Sequence, residues 1–377
     1  MRRSVETVKM IAWAVLVALS LHSCCKHHKQ TVQEDAIKMG VLSTNVSTRA
    51  VIDSLPNLIT ASYGDGTNKV GFGVYAYKYN TGTGTAENNL TRIFNNEEVT
   101  PASNLSTTSW TYVHTRYWDS NPTVTYQFMA YWPYGQSTAG QNHEYYVTEN
   151  NRIVTLHNIK NWQEEGVATD YLIATRYNRY NSGGGFKEQN GYVDFTFYHA
   201  LSRLSIKAFY VGSEADTITV NSLGLSGNNN VLEDGYSDLQ IDFSNSGNRI
   251  GPANNTPHLA NSTTIFSRVL GIPKRSYVDE TSQDTIYTPI GSWLMVPHVW
   301  RNINLTIGYK IGGSSYKNSS PIPLTLGKSS DSWRIIDGKT YILTLKFNSA
   351  GESIEVESIV VSDWIEGRPY TREVYNW

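Results

Sequence analysis

Five segments of this 377-residue chain place apolar residues at every second position, and that spacing limits what the chain can fold into. They are Phe72, Val74 and Ala76 in GFGVYAYKYN, Val124, Tyr126, Phe128 and Ala130 in VTYQFMAYW, and Val193, Phe195 and Phe197 in YVDFTFY. Ile303, Leu305, Ile307, Tyr309 and Ile311 in INLTIGYKI, and Tyr341, Leu343, Leu345 and Phe347 in YILTLKF, complete the set. Successive side chains of a strand point to opposite faces, so each segment reads as a strand with one face in a core. No long stretch beyond the first residues carries helical periodicity. The 25 Tyr and 10 Trp favour strands, and 29 Gly with Asn-rich stretches such as Gly227-Asn-Asn-Asn230 supply turns between them. The chain is expected to be all-β, with half-buried strands in antiparallel sheets that stack as sandwiches.

The N-terminus follows a different rule. Arg2, Arg3 and Lys9 precede the apolar run IAWAVLVALSL at residues 11–21, the layout of a secretory signal peptide. The run is too short to span a bilayer, which takes roughly 20 apolar residues. Both cysteines of the chain, Cys24 and Cys25, follow directly in LHSCCKHH. A cysteine after a small residue at this place resembles the bacterial lipobox, where signal peptidase II cuts before the cysteine and lipid is attached to its sulfur. Leu21 and Ser23 suit that motif with cleavage between Ser23 and Cys24 and lipid on Cys24; choosing Cys25 would put Cys24 at the −1 place, a poorer fit. A disulfide between neighbouring cysteines would close a strained small ring. Metal binding by Cys24, Cys25, His27 and His28 is the alternative chemistry, but no second cluster completes a tetrahedral site.

A mature chain of about 350 residues can bury an adequate core without disulfides, and its length predicts two domains. Losing residues 1–23 removes three Lys/Arg and one Glu, which moves the formal charge from −2 to −4. Nothing basic remains to attract nucleic acid. The expected divisions are a signal peptide at 1–23, a leader at 24–49, an N-terminal sandwich at 50–186 and a C-terminal sandwich at 187–377. Ala36–Thr48 shows few packing signals and reads as a tether. The boundary is set near Asn181-Ser-Gly-Gly-Gly185, the alternative being that this stretch is a hairpin loop inside one domain.

Signs of catalysis are absent. The nearest string to Gly-x-Ser-x-Gly is Gly224-Leu-Ser-Gly227, and His143-Glu144 lacks the second histidine of a zinc helix. Glu97-Glu98 and Glu164-Glu165 are adjacent carboxylates, which on a strand point to opposite faces. His199 and Arg203 in FYHALSRL read as a packed or hydrogen-bonded pair at a strand end. No phosphate loop, dinucleotide fingerprint, cofactor site or metal site is expected, and the chain reads as a non-enzyme.

Several strings taken in order are similar to the fimbrillin-like family of Bacteroidales, subunits of type V pili and related surface lipoproteins. They are Thr48-Arg49-Ala50, GFGVYAY, Trp110-Thr-Tyr, TYQFMAYWPYG, Asp170-Tyr-Leu-Ile-Ala174, VDFTFYHALSRLSIKAF, WRIIDGKTYILTLKF and VVSDW. The resemblance runs from the lipobox to about Trp364. It implies two tandem transthyretin-like β-sandwich domains behind a lipoprotein signal peptide. It further implies an outer-membrane lipoprotein at the cell surface, cut after an arginine by a protease that removes lipid and first strand together. A neighbouring subunit's strand then fills the vacated groove, giving a homo- or heteropolymeric fimbrium whose adhesive ligand is a host protein or glycan.

Arg49, followed by Ala50, best matches that cleavage site. The other reading leaves Arg49 an ordinary exposed arginine on a protein that stays lipid-anchored and binds glycan or a host ligand without polymerising. A candidate donor strand lies at the far end, where Tyr370 and Val374 share one face of an extended chain and Tyr375 and Trp377 the other. Pro369 marks its start, and the competing expectation is that this tail folds back on its own domain or is disordered.

Overall fold

The computed structural model describes residues 36–41, 71–80, 90–101, 110–119, 121, 123–138, 144–164, 168–179, 192–212, 217–244, 259–272, 274, 276–277, 285–324, 332–348, 353–363 and 374–375. Among the described residues every regular element is a strand. The first are β1 (Lys38–Val41), β2 (Phe72–Asn80), β3 (Thr91–Pro101), β4 (Trp110–Thr111) and β5 (Val124–Trp132). Then come β6 (Tyr146–Asn150), β7 (Ile153–Lys160), β8 (Trp162–Glu164), β9 (Leu172–Arg179), β10 (Tyr192–Phe195) and β11 (Tyr198–His199). The middle of the chain gives β12 (Ser202–Tyr210), β13 (Ile218–Leu232), β14 (Tyr236–Asp242), β15 (Leu259–Phe266), β16 (Leu270–Ile272), β17 (Ser276–Tyr277) and β18 (Thr285–Ile286). The last third gives β19 (Thr288–Met295), β20 (Val299–Arg301), β21 (Ile303–Ile311), β22 (Lys317–Asn318) and β23 (Ile322–Leu324). β24 (Ser332–Arg334), β25 (Lys339–Phe347), β26 (Ile354–Asp363) and β27 (Val374–Tyr375) follow.

An eight-stranded sheet runs in the order β10-β1-β4-β3-β2-β5-β9-β11. Its two end strands, β10 and β11, are separated in the chain by Thr196 and Phe197 alone. Such a link spans at most about 10 Å, so the sheet must curl until its ends meet, and β10 lies against β9. Phe72, Val74, Phe94, Phe128, Ala130, Val193 and Phe195 fill the inside of the curl. From the other face Tyr75, Met129, Tyr131 and Ile173 meet Val147, Val154 and Leu156 of a three-stranded sheet, β14-β7-β6. Glu149 ties the two sheets together: its buried carboxylate accepts the Tyr77 hydroxyl at 2.7 Å and pairs with Arg92.

The remaining chain forms a second stack. A six-stranded sheet, β27-β26-β25-β12-β19-β8, faces a sheet of β15-β13-β21-β22 that β16 and β23 extend. Leu204, Ile206, Leu343 and Leu345 from the first share a core with Val220, Leu223, Leu305 and Ile307 from the second. The alternating segments therefore lie in strands with their predicted apolar faces inward, except that Phe197 falls in the link between β10 and β11, where it is still buried; of the residues named in them, only Ile311 is merely half-buried.

Three local expectations need correction. Ala36–Thr48 is no loose tether over residues 36–41, where Ile37 and Met39 are buried and β1 is part of a sheet. Gly227–Asn230 is no turn between strands but lies within β13, where the register against β15 shifts between Ser226 and Val231. Asn229 absorbs that bulge at φ +55°, a left-handed conformation asparagine tolerates. The sheets are also not wholly antiparallel, since β1–β10 and β12–β25 are parallel pairs. Their strands lie far apart in the chain, so no hairpin dictates their direction.

Candidate functional site

β1 is a short strand with an unusual position. Lys38–Val41 pairs in parallel with Tyr192–Phe195 of β10 on one side, and Met39 is opposite Trp110 of β4 on the other. Ile37, Met39 and Val41 alternate inward, as strand geometry requires, and join the core that holds Phe72, Trp110 and Phe195. Met39 is completely shielded from solvent. Burying each such side chain stabilises by about 1.5–3 kcal/mol. Ordering the backbone costs about 1–2 kcal/mol per residue, the same order over so short a piece. Main-chain pairing to β10 and β4 adds to that burial and holds the strand in a slot whose walls belong to the rest of the molecule.

Those walls are specific. The Ile37 amide donates to the Arg116 carbonyl at 2.8 Å, and the Tyr112 hydroxyl donates to the Ile37 carbonyl at 2.5 Å. Arg116 is fixed in turn by its Nε–H bond to the Ile93 carbonyl at 2.9 Å. Burial raises the Tyr112 hydroxyl's pKa, so it stays a protonated donor. Nearby, Lys78 and Asp119 pair at 3.0 Å, and the Asn121 amide and that lysine together lower the Asp119 pKa. On the opposite wall a Cβ added at Gly40 would fall 2.1 Å from Asp194 Oδ1, so any larger residue must displace that carboxylate. The slot accepts three apolar side chains at every second position with a glycine before the third.

Ser23, Cys24, Arg49 and Ala50, together with Tyr370 and Trp377, lie outside the described residues, as do His143, Glu165 and the Asn181–Gly185 stretch. Val374 and Tyr375 form β27 and pair antiparallel with Val360 and Ile359 at the edge of the six-stranded sheet. The sequence reading missed Ile37, Gly40, Met39, Val41, Tyr112 and Arg116. The alternation of Ile37, Met39 and Val41 was the available signal.

The candidate catalytic groups are engaged elsewhere. His199 Nδ1 meets Asp170 Oδ2 at 2.6 Å with both side chains buried, Glu97 accepts the His114 amide at 3.1 Å, and Glu164 pairs with Arg268 at 3.0 Å. Among the described residues no group of three His, Cys, Asp or Glu is placed to hold a metal.

The sequence matches the fimbrillin-like family model over residues 48–364. Its fold is similar to that of a fimbrial protein from Bacteroides vulgatus, at 17% identity and a TM-score of 0.51, with 87% of this chain and 99% of that one covered. The C-terminally truncated tip fimbrial protein Mfa3 from Porphyromonas gingivalis is also similar, at 12% identity and a TM-score of 0.35, covering 87% of this chain and 100% of that one. No curated protein matches the chain.

Proposed function

Because the chain belongs to the fimbrillin-like family, we propose that it is a structural or adhesive subunit of a cell-surface fimbria, and that β1 holds a place later taken by a neighbour's strand. The observation that carries this reading is the location of β1: paired between β10 and β4 with Met39 and Val41 in the core, yet upstream of Arg49. A cut between Arg49 and Ala50 separates β1 from everything it packs against. Its departure bares the backbone donors and acceptors of β10 and β4 and the apolar slot beside Phe72, Trp110 and Phe195. An unpaired edge beside an apolar groove is a template for strand addition, with main-chain bonds supplying affinity and alternate side chains specificity. Such a head-to-tail contact does not close on itself and grows a filament.

In this reading signal peptidase cuts between Ser23 and Cys24, lipid on Cys24 holds the precursor at the outer membrane, and residues 24–49 leave on maturation. The chain that remains, 50–377, keeps both sandwich stacks, which β8, β10, β11 and β14 interlock across residue 186. The donor candidate is the tail bearing Tyr370, Val374, Tyr375 and Trp377. Its alternating triplets, Tyr370-Arg372-Val374 and Glu373-Tyr375-Trp377, each carry one charge where Ile37-Met39-Val41 carries none. That mismatch favours a donor from a different subunit over self-addition. A second reading, a lipid-anchored surface protein that does not polymerise, draws support from the pairing of β27 with its own β26. Electrophoresis of the surface fraction with and without boiling separates the two. A ladder of high-mass species in the unboiled sample supports the fimbrial subunit, and a lone monomer band overturns it.

A further inference from the structure

On the outward face of the six-stranded sheet a groove of about 360 Å³ crosses β26, β25, β12 and β19. We infer that this groove binds an acidic oligosaccharide. Its volume falls in the range of small-ligand clefts, about 300–1,000 Å³. Arg203 and Lys207 line it and no carboxylate does, although the chain as a whole is slightly acidic. The two cations stand four residues apart on β12, about 13 Å along the strand at its usual rise. A small anion cannot bridge that distance, whereas acid groups on separate residues of a sugar chain can. Both cations keep contacts to the protein that hold them in position; Lys207 Nζ sits 3.9 Å from the centre of the Tyr287 ring.

Between the charges the floor is built for hydroxyls. Ser205 and Ser292 are hydrogen-bonded to each other at 2.6 Å on neighbouring strands midway between the cations, and Thr344 and Ser358 form a second hydroxyl pair across the sheet beside Lys207. Each hydroxyl both donates and accepts, as sugar hydroxyls do. Ile342 and Val360, both half-buried, give the groove an apolar strip for the C–H face of a sugar ring. A carboxylate or sulfate on the ligand accepts charge-assisted hydrogen bonds from Arg203 at one end and Lys207 at the other. A sulfate ion alone uses one cation, and a neutral sugar uses neither.

Calorimetric titration of the full chain with a galacturonic acid trisaccharide, the matching neutral galactose trisaccharide and sodium sulfate tests this. The acidic trisaccharide is expected to bind at least tenfold more tightly than the neutral one and to weaken as salt rises. Lys207→Gln, and independently Ser358→Glu, which adds a carboxylate to the groove, are each expected to weaken it tenfold or more while leaving the melting temperature unchanged. If one variant fails to fold, the other carries the comparison. The inference is overturned by no binding of the acidic trisaccharide, by equal affinity for the neutral one, by unaltered affinity in a folded variant, or by sulfate alone binding as tightly.

Discussion

Met39 stands directly opposite Trp110 across the β1–β4 pairing and opposite Val193 across the β1–β10 pairing, so one side chain closes a sheet from both sides. Replacing it should be costly in the uncut protein. Met39→Ala removes most of a fully buried side chain, and a loss of about 2–5 kcal/mol in unfolding free energy is expected. Urea denaturation of the uncut protein measures it. A midpoint equal to that of the parent would show that β1 does not fill the slot in solution.

The long strands were legible because their own sequence decides them. Phe72, Val74 and Ala76, or Ile303, Leu305 and Ile307, repeat often enough to reveal both the strand and its buried face. β1 carries the same alternation, but Ile37, Met39 and Val41 are only three residues, split by Lys38 and Gly40. What makes them a strand is a pair of partners at residues 110 and 192–195, and pairing across such distances leaves no local mark. The parallel direction of β12 with β25 is hidden for the same reason. Gly227–Asn230 misled because the composition that favours a turn also suits a bulge inside a strand. The groove on the outer sheet face was not legible either, since Arg203, Ser292, Thr344 and Ser358 come together only through the sheet order.

His298 makes the fold sensitive to acid. Complete burial pushes its pKa down to about 4, even though its Nδ1 bonds the Val296 carbonyl at 2.9 Å. The unfolded chain, with an ordinary histidine near 6.5, takes up the proton first as pH falls. Stability from this group is therefore full above about pH 6.5 and declines down to about pH 4, by roughly 3 kcal/mol in all. Thermal melts between pH 7 and 4.5 should show that decline, and His298→Gln should flatten it. A variant whose melting temperature falls with pH as steeply as the parent's would contradict this assignment.

Truncation after Ile365 should leave folding intact. β27 adds one short pair at the edge of a sheet whose β25–β26 pairing runs from Lys339 to Phe347 without it. Circular dichroism melts of the truncated chain are expected to superimpose on those of the parent. The truncated subunit is also expected to end fibres rather than extend them, if the tail is the donor. Normal fibre length would remove the tail from assembly, and a lost melting transition would make it part of the subunit's own core.

The central claim is that β1 is severed from the chain before assembly, and the N-terminus of assembled protein tests it most directly. Mass spectrometry of subunits recovered from surface fibres should find chains that begin at Ala50, and Arg49→Ala should shift the protein to a longer form that begins at acylated Cys24 and yields fewer fibres. Fibres built only of subunits that still begin at acylated Cys24 would contradict the claim, because β1 would then remain in its own slot and leave no groove for a neighbour.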